Sequence, residues 1–196
     1  MAYPGSGQTG TPDDLNAERE YKALPQHMNT VAGNEILVLD AVKRYAAPVL
    51  LSEIDNAKPF TLVAKVKAQF PATYDAGTLY IWAKDDLWLK LEVERDERAK
   101  IRVVSVRTEG TSDDNNHDVV GEEAVYLKIS SDTKTVGFYY SKDQKSWQMV
   151  RLFKNGYPQE LWIGVSAQSP MGEGTEATFE GLSLSQESIE DFRLGQ

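Results

Sequence analysis

The chain has 196 residues, 41% of them hydrophobic, no cysteine and a formal net charge of −9. That length and apolar content suit one domain with its own core, while the lack of cysteine excludes a disulfide framework, a thiolate metal site and a cysteine nucleophile. The acidic balance argues against nucleic acid and anionic membrane surfaces as partners, and there is no apolar run of about 18 residues to read as a membrane span.

In chain order, residues 1–30 differ in texture from the rest. Pro4, Gly5, Ser6, Gly7, Gly10 and Pro12 read as a flexible lead-in. No apolar stretch of the secretory kind follows Met1, so the chain is taken as cytoplasmic. Thr11-Pro12-Asp13-Asp14 combines a capping hydroxyl, a proline for the first helical position and acids suited to the positive end of a helix dipole. A short helix to Leu24, ended by Pro25, competes here with a disordered lead-in; its apolar stripe is Ala17, Tyr21 and Leu24.

From Ile36 the hydrophobic period becomes two. Ile36 to Val42, Phe60 to Phe70, Leu79 to Ala83, Leu87 to Val93, Ile101 to Val106, Val125 to Ile129, Val136 to Tyr140, Trp147 to Phe153, Leu161 to Ala167 and Ala177 to Leu184 read as strands. Asp96-Glu97-Arg98 and Ser141 to Lys145 read as hairpin turns, and Asp113 to Asp118 as an acidic, Asn-rich loop. Short strands joined by tight turns, with no long helix between them, imply an all-β fold of packed antiparallel sheets over residues 31–196.

Successive side chains point to opposite faces of a strand. Leu87, Leu89, Leu91 and Val93 therefore belong to the core, and Trp88, Lys90, Glu92 and Glu94 share the other face. Tyr126 and Lys128 point outward by the same rule, and Tyr80 and Trp82 share a face. An aromatic ring beside charged groups is a mixture that suits a sugar, whose apolar ring face and hydroxyls need both. Outward aromatics also pack across strands, and Lys90 and Glu92 would equally serve as partners of charges on adjacent strands.

Tyr74-Asp75-Ala76-Gly77, Trp88 to Glu92, Ser112 to Asn115, Tyr140 to Trp147, Gly164 to Gly174 and the ending Asp191-Phe192-Arg193-Leu194-Gly195 resemble landmarks of the regulation-of-enolase-like family. The resemblance spans about residues 34–195. It implies a concanavalin A-like antiparallel β-sandwich (jelly roll) and no established reaction. The lectins, glucanases and carbohydrate-binding domains of the wider superfamily use the concave sheet, which is analogy at the level of fold.

Glu92 and Glu94 are the candidate catalytic pair for glycoside hydrolysis, which needs two carboxyls close together. Lys90 argues against it, since a lysine there is expected to pair with Glu92 and hold its pKa down. Asp114, Asn116 and Asp118 alternate as in an oxygen-ligand calcium loop, yet Val119 stands where that motif needs glycine and Val125 where it needs glutamate. No cofactor is expected, and calcium is the one with a candidate site. The resulting expectation is a non-catalytic domain that binds a carbohydrate or similar polar ligand through Tyr80, Trp82, Trp88, Lys90, Glu92, Tyr126 and Lys128. The alternatives are a structural or protein-interaction domain, including a homodimer, and a glycoside hydrolase.

Overall fold

The two-residue period becomes twelve strands in a computed structural model that describes residues 36–42, 49–121 and 123–196. They are β1 (Ile36–Val42), β2 (Val49–Asp55), β3 (Phe60–Ala68), β4 (Ala76–Lys84), β5 (Leu87–Arg95), β6 (Ile101–Glu109), β7 (Thr111–Val119), β8 (Val125–Ser131), β9 (Thr135–Ser141), β10 (Gln148–Lys154), β11 (Glu160–Gln168) and β12 (Gly174–Ser185). They form two six-stranded antiparallel sheets. The back sheet runs β1-β12-β3-β8-β9-β10 and the front sheet β2-β11-β4-β5-β6-β7. Leu62 and Val66 of β3, Leu127 of β8, Phe138 of β9 and Phe179 of β12 face Leu79 of β4, Leu91 of β5 and Ile163 of β11, and all are fully buried. Among the described residues no helix is long and apolar enough to cross a membrane.

Both expected hairpin turns are present, each organised by one aspartate. Asp96 Oδ1 accepts hydrogen bonds from the Arg98 and Lys100 amides, and Asp96 Oδ2 accepts one from Arg102 Nε at 2.7 Å. Asp143 Oδ1 accepts from the Lys145 and Ser146 amides at 2.8 Å, which holds that carboxyl down to about 2.

Two strands depart from the sequence reading. β2 falls in a stretch given no element. β7 occupies the segment expected as an acidic loop, pairing along one side with β6 from Glu109↔Thr111 to Arg102↔Val119. It is an edge strand with almost every side chain solvated, so its composition carries no alternation to betray it. The expected helix from Thr11 to Leu24, and with it the lead-in of residues 1–30, lies outside the described residues.

Residues 186–196 lie across the outer face of the back sheet. Thr61 Oγ1 donates to the Glu187 carbonyl, Tyr139 Oη to the Phe192 carbonyl and Lys128 Nζ to the Gly195 carbonyl, at 2.7, 2.7 and 2.8 Å. Gly195 sits at φ 72°, and a Cβ there would stand 2.8 Å from Tyr139 Cδ1 and 2.9 Å from Trp147 Cβ. Gly195→Ala is therefore expected to lift this tail and cost about 1–2 kcal/mol through strain and overpacking. Urea unfolding together with faster carboxypeptidase release of the C-terminus would register the change; unaltered release would contradict it.

Candidate functional site

The register of the front sheet assembles an outward face that strand alternation predicts only piecewise. Trp82 stands opposite Trp88, Tyr80 opposite Lys90, Thr78 opposite Glu92 and Ala76 opposite Glu94. On the other side of β5, Lys90 stands opposite Val106 and Glu92 opposite Val104. β11 adds Trp162 opposite Trp82 and Ser166 opposite Thr78. The inward partners of all these residues are core, so the face is fixed: a slip of one residue would turn Leu89 and Leu91 out to water.

The aromatic half of this face is a packed floor. The Tyr80 and Trp88 ring centroids are 6.1 Å apart, and Lys90 Nζ stands 4.9 Å from the Trp88 centroid and 5.4 Å from that of Tyr80. Cation–π attraction of this kind holds the ammonium over the rings. The expectation of Trp88 as an open stacking platform is therefore corrected: it is 4% exposed and its ring carries the lysine.

The polar half is a relay. Lys90 Nζ donates to Gln168 Oε1 at 2.8 Å, Gln168 Nε2 donates to Glu92 Oε2 at 3.1 Å, and Thr78 Oγ1 donates to the same oxygen at 2.8 Å. Glu94 lies beside them, 6% exposed, and its carboxyl takes no hydrogen bond from any described residue. Burial pushes the Glu92 carboxyl up, against the opposing pull of Lys90 and Thr78. Burial, followed by the charge of Glu92, pushes Glu94 well above the ordinary carboxylate range. Asp114, on the solvated strand β7, is raised by partial desolvation of its carboxyl and by the charge of Asp113. The expectation that Lys90 would hold the Glu92 pKa down is thus overturned: its ammonium bonds to Gln168, and desolvation of the charged form outweighs its attraction. A carboxyl pushed upward by burial binds its proton more tightly than a free one, and in its protonated form it donates as well as accepts.

Tyr126 and Lys128 do not join this face. β8 belongs to the back sheet, and its outward side chains point away from the front sheet. Lys128 stands 3.6 Å from the Trp147 ring centroid beneath the C-terminal tail, and burial pushes it down to about 8. It clasps the tail. Asp114 and Asn116 stand opposite Val106 and Val104, but the register shifts between Arg102 and Val104, and the Asp118 carboxylate accepts a hydrogen bond from Tyr140 Oη at 2.6 Å. Among the described residues, no group of three or more His, Asp or Glu side chains is arranged to hold a metal ion.

Strand alternation thus places Tyr80, Trp82, Trp88, Lys90, Glu92 and Glu94 on this face, misses Thr78 and Gln168, and offers Asp114 only as a calcium candidate. Thr78 is two residues before Tyr80 and Gln168 two after Ser166, so extending each alternation by one step would reach both. Asp114 needs the β6–β7 pairing, which a wholly polar edge conceals.

Comparison with known proteins agrees with this architecture. A stretch of 44 residues, 22% of the chain, is 61% identical to 14% of "Uncharacterized oxidoreductase YKL107W" of Saccharomyces cerevisiae. Over 133 residues, 67% of the chain, identity is 26% with 66% of "Regulation of enolase protein 1" of the same yeast. The chain therefore spans less than two thirds of the length of either relative. A functionally unknown protein from Saccharomyces cerevisiae superposes with a TM-score of 0.68 at 21% identity, over 82% of this chain and 95% of that one. The xylan beta-1,4-xylosidase of Bacillus halodurans C-125 superposes at 0.60 and 16% identity, over 74% of this chain and 32% of that one. These superpositions establish a shared β-sandwich fold. The profile of a family described as "Protein of unknown function (DUF1349)" matches residues 38–187, and the chain belongs to that family.

Proposed function

We propose that this chain is a non-catalytic binding domain of the concanavalin A-like kind, taking a carbohydrate or similarly hydroxyl-rich ligand on the outer face of its front sheet. The observation that carries the reading is the relay Lys90–Gln168–Glu92–Thr78 beside the carboxyl of Glu94, which takes no hydrogen bond from any described residue. A sheet face needed only for packing is more stable lined with Val or Thr than with buried carboxyls, because each unmet polar group carries a desolvation penalty of about 1–3 kcal/mol. Hydroxyls of a ligand would supply the missing partners. Lys90 and Gln168 are the half-buried members, so a ligand meets them first. The likeness in fold to a xylosidase supports a sugar ligand only as analogy.

The test is a glycan array of the wild-type protein beside Lys90→Met and Gln168→Ala, with circular dichroism to show that all three are folded. Binding by the wild type that falls at least tenfold in both variants, about 1.4 kcal/mol, is the expected result. A folded wild-type protein that binds no glycan would overturn the reading in favour of a protein-interaction domain. A second reading, cleavage of the bound glycan, has one observation in its favour: Glu92 and Glu94 are both pushed upward, the direction a general acid requires. Mass analysis of any glycan bound in the array separates the two.

A further inference from the structure

The sequence contains a single Asn-Gly step, Asn155-Gly156, in the connection from β10 to β11. Asparagine before glycine is prone to lose its side-chain amide, because the backbone nitrogen that follows can attack that amide and glycine has no side chain to hinder the approach. Gly156 is exposed, its own amide donates to no described residue, and a Cβ built on it would meet nothing within 4 Å. Its surroundings therefore add no hindrance of their own.

The Asn155 side chain, in contrast, is fully engaged. Its Nδ2 donates to Asn56 Oδ1 at 2.8 Å and to Ser131 Oγ at 3.0 Å. Its Oδ1 accepts from Asn56 Nδ2 at 3.1 Å and from the Tyr157 amide at 3.2 Å. These bonds use both donors and both acceptor positions of the amide. Asn56 is 6% exposed, and its Nδ2 also donates to the Tyr157 and Pro158 carbonyls at 3.2 and 3.0 Å. The Asn56 backbone amide donates to the Gln159 carbonyl, and that of Asn155 to the Lys134 carbonyl. The two asparagines thus tie the β2–β3 turn, the β8–β9 turn and the β10–β11 connection together at one end of the sandwich.

We infer that Asn155 is a deamidation site gated by its amide pair with Asn56, and that its modification acts as a one-way timer for this end of the fold. When the pair opens, the Gly156 nitrogen gives up its proton and bonds to Asn155 Cγ. The Cγ–Nδ2 bond breaks, and that nitrogen leaves with the proton as ammonia. Water then opens the cyclic imide at either carbonyl, leaving aspartate or, with the side-chain carbon taken into the main chain, isoaspartate. The product cannot rebuild the pair. In aspartate an acceptor oxygen replaces the Nδ2 donor and faces Asn56 Oδ1, so a hydrogen bond becomes a repulsion beside a buried amide. Turning the Asn56 amide over would relieve this only by withdrawing its donor from the Tyr157 and Pro158 carbonyls.

The test incubates the full chain in mildly alkaline buffer and follows Asn155 by digestion and mass spectrometry, with the same chain unfolded in guanidinium as the ungated reference. Deamidation is expected to run at least about tenfold slower in the folded protein than in the unfolded one. Asn56→Ala, shown folded by circular dichroism, is expected to recover about tenfold, the factor that two lost hydrogen bonds of ordinary net strength give. Ser131→Ala removes one partner of the same amide and carries the test, with a smaller gain in rate, where Asn56→Ala does not fold. Asn155→Asp, the product made directly, is expected to unfold at lower urea than the wild type. A folded protein that deamidates as fast as the unfolded chain overturns the gate, and so does a folded Asn56→Ala variant as slow as the wild type. An Asn155→Asp variant as stable as the wild type overturns the timer. None of these outcomes depends on the ligand proposed above.

Discussion

Gly164→Ala is expected to destabilise the fold by about 3 kcal/mol or more. Gly164 sits in β11 between β2 and β4, where a Cβ would lie 1.9 Å from the Leu50 carbonyl oxygen and 3.0 Å from Leu51 Cα. The obstruction is backbone. No side-chain rotation relieves it, so β2 would have to move away from the sheet and give up its pairing from Glu160↔Asp55 to Ser166↔Val49. The comparison is Gly156→Ala, where an added Cβ meets nothing within 4 Å; that change should stay within about 0.5 kcal/mol. Urea unfolding of both variants decides the matter, and equal midpoints would show that β2 yields freely.

The second large effect concerns Glu94. Its carboxyl is raised well above the ordinary range in the folded chain and is ordinary in the unfolded one, so the folded state holds the proton more tightly. The stability tied to this group is fully present below the unfolded pKa of about 4.3 and is lost as pH rises through the folded value. Each tenfold difference in proton affinity amounts to about 1.4 kcal/mol. Glu94→Gln keeps the shape and discards the ionisation. Its melting temperature is expected to match the wild type near pH 4.5 and exceed it increasingly toward pH 8. Parallel curves for the two proteins across that range would show that Glu94 is stabilised as an anion by groups other than those described. Asp96 acts in the opposite sense: amides and Arg102 hold it low, so its contribution is lost as pH falls below the ordinary aspartate value.

The core and the β5 face were legible because alternation in a half-buried strand needs only one sequence. Leu87-Trp88-Leu89-Lys90-Leu91-Glu92-Val93-Glu94 declares both its faces, and the structure keeps each assignment. The failures share one cause, that outwardness does not name a sheet. Tyr126 and Lys128 obey the same alternation as Trp88 and Lys90, yet β8 pairs with β3 and β9 while β5 pairs with β4 and β6. That is a fact of topology, set by contacts far apart in sequence. Burial was equally out of reach. Alternation alone turns Trp88 and Glu92 outward, and only the assembled face shows a floor with a lysine across it and carboxyls raised by desolvation. β7 escapes for the converse reason, since a solvated edge strand with only polar side chains along most of its length leaves no apolar trace.

That edge strand also bears on how the protein behaves in a crowded solution. Among the described residues, one side of β7 has no partner strand, which leaves backbone donors and acceptors ready to template another chain. Asp113, Asp114 and Asp118 line this border, and their charge keeps one molecule from stacking on the next. These charges on the front sheet's border are thus what stops a second molecule from extending the sheet edge to edge.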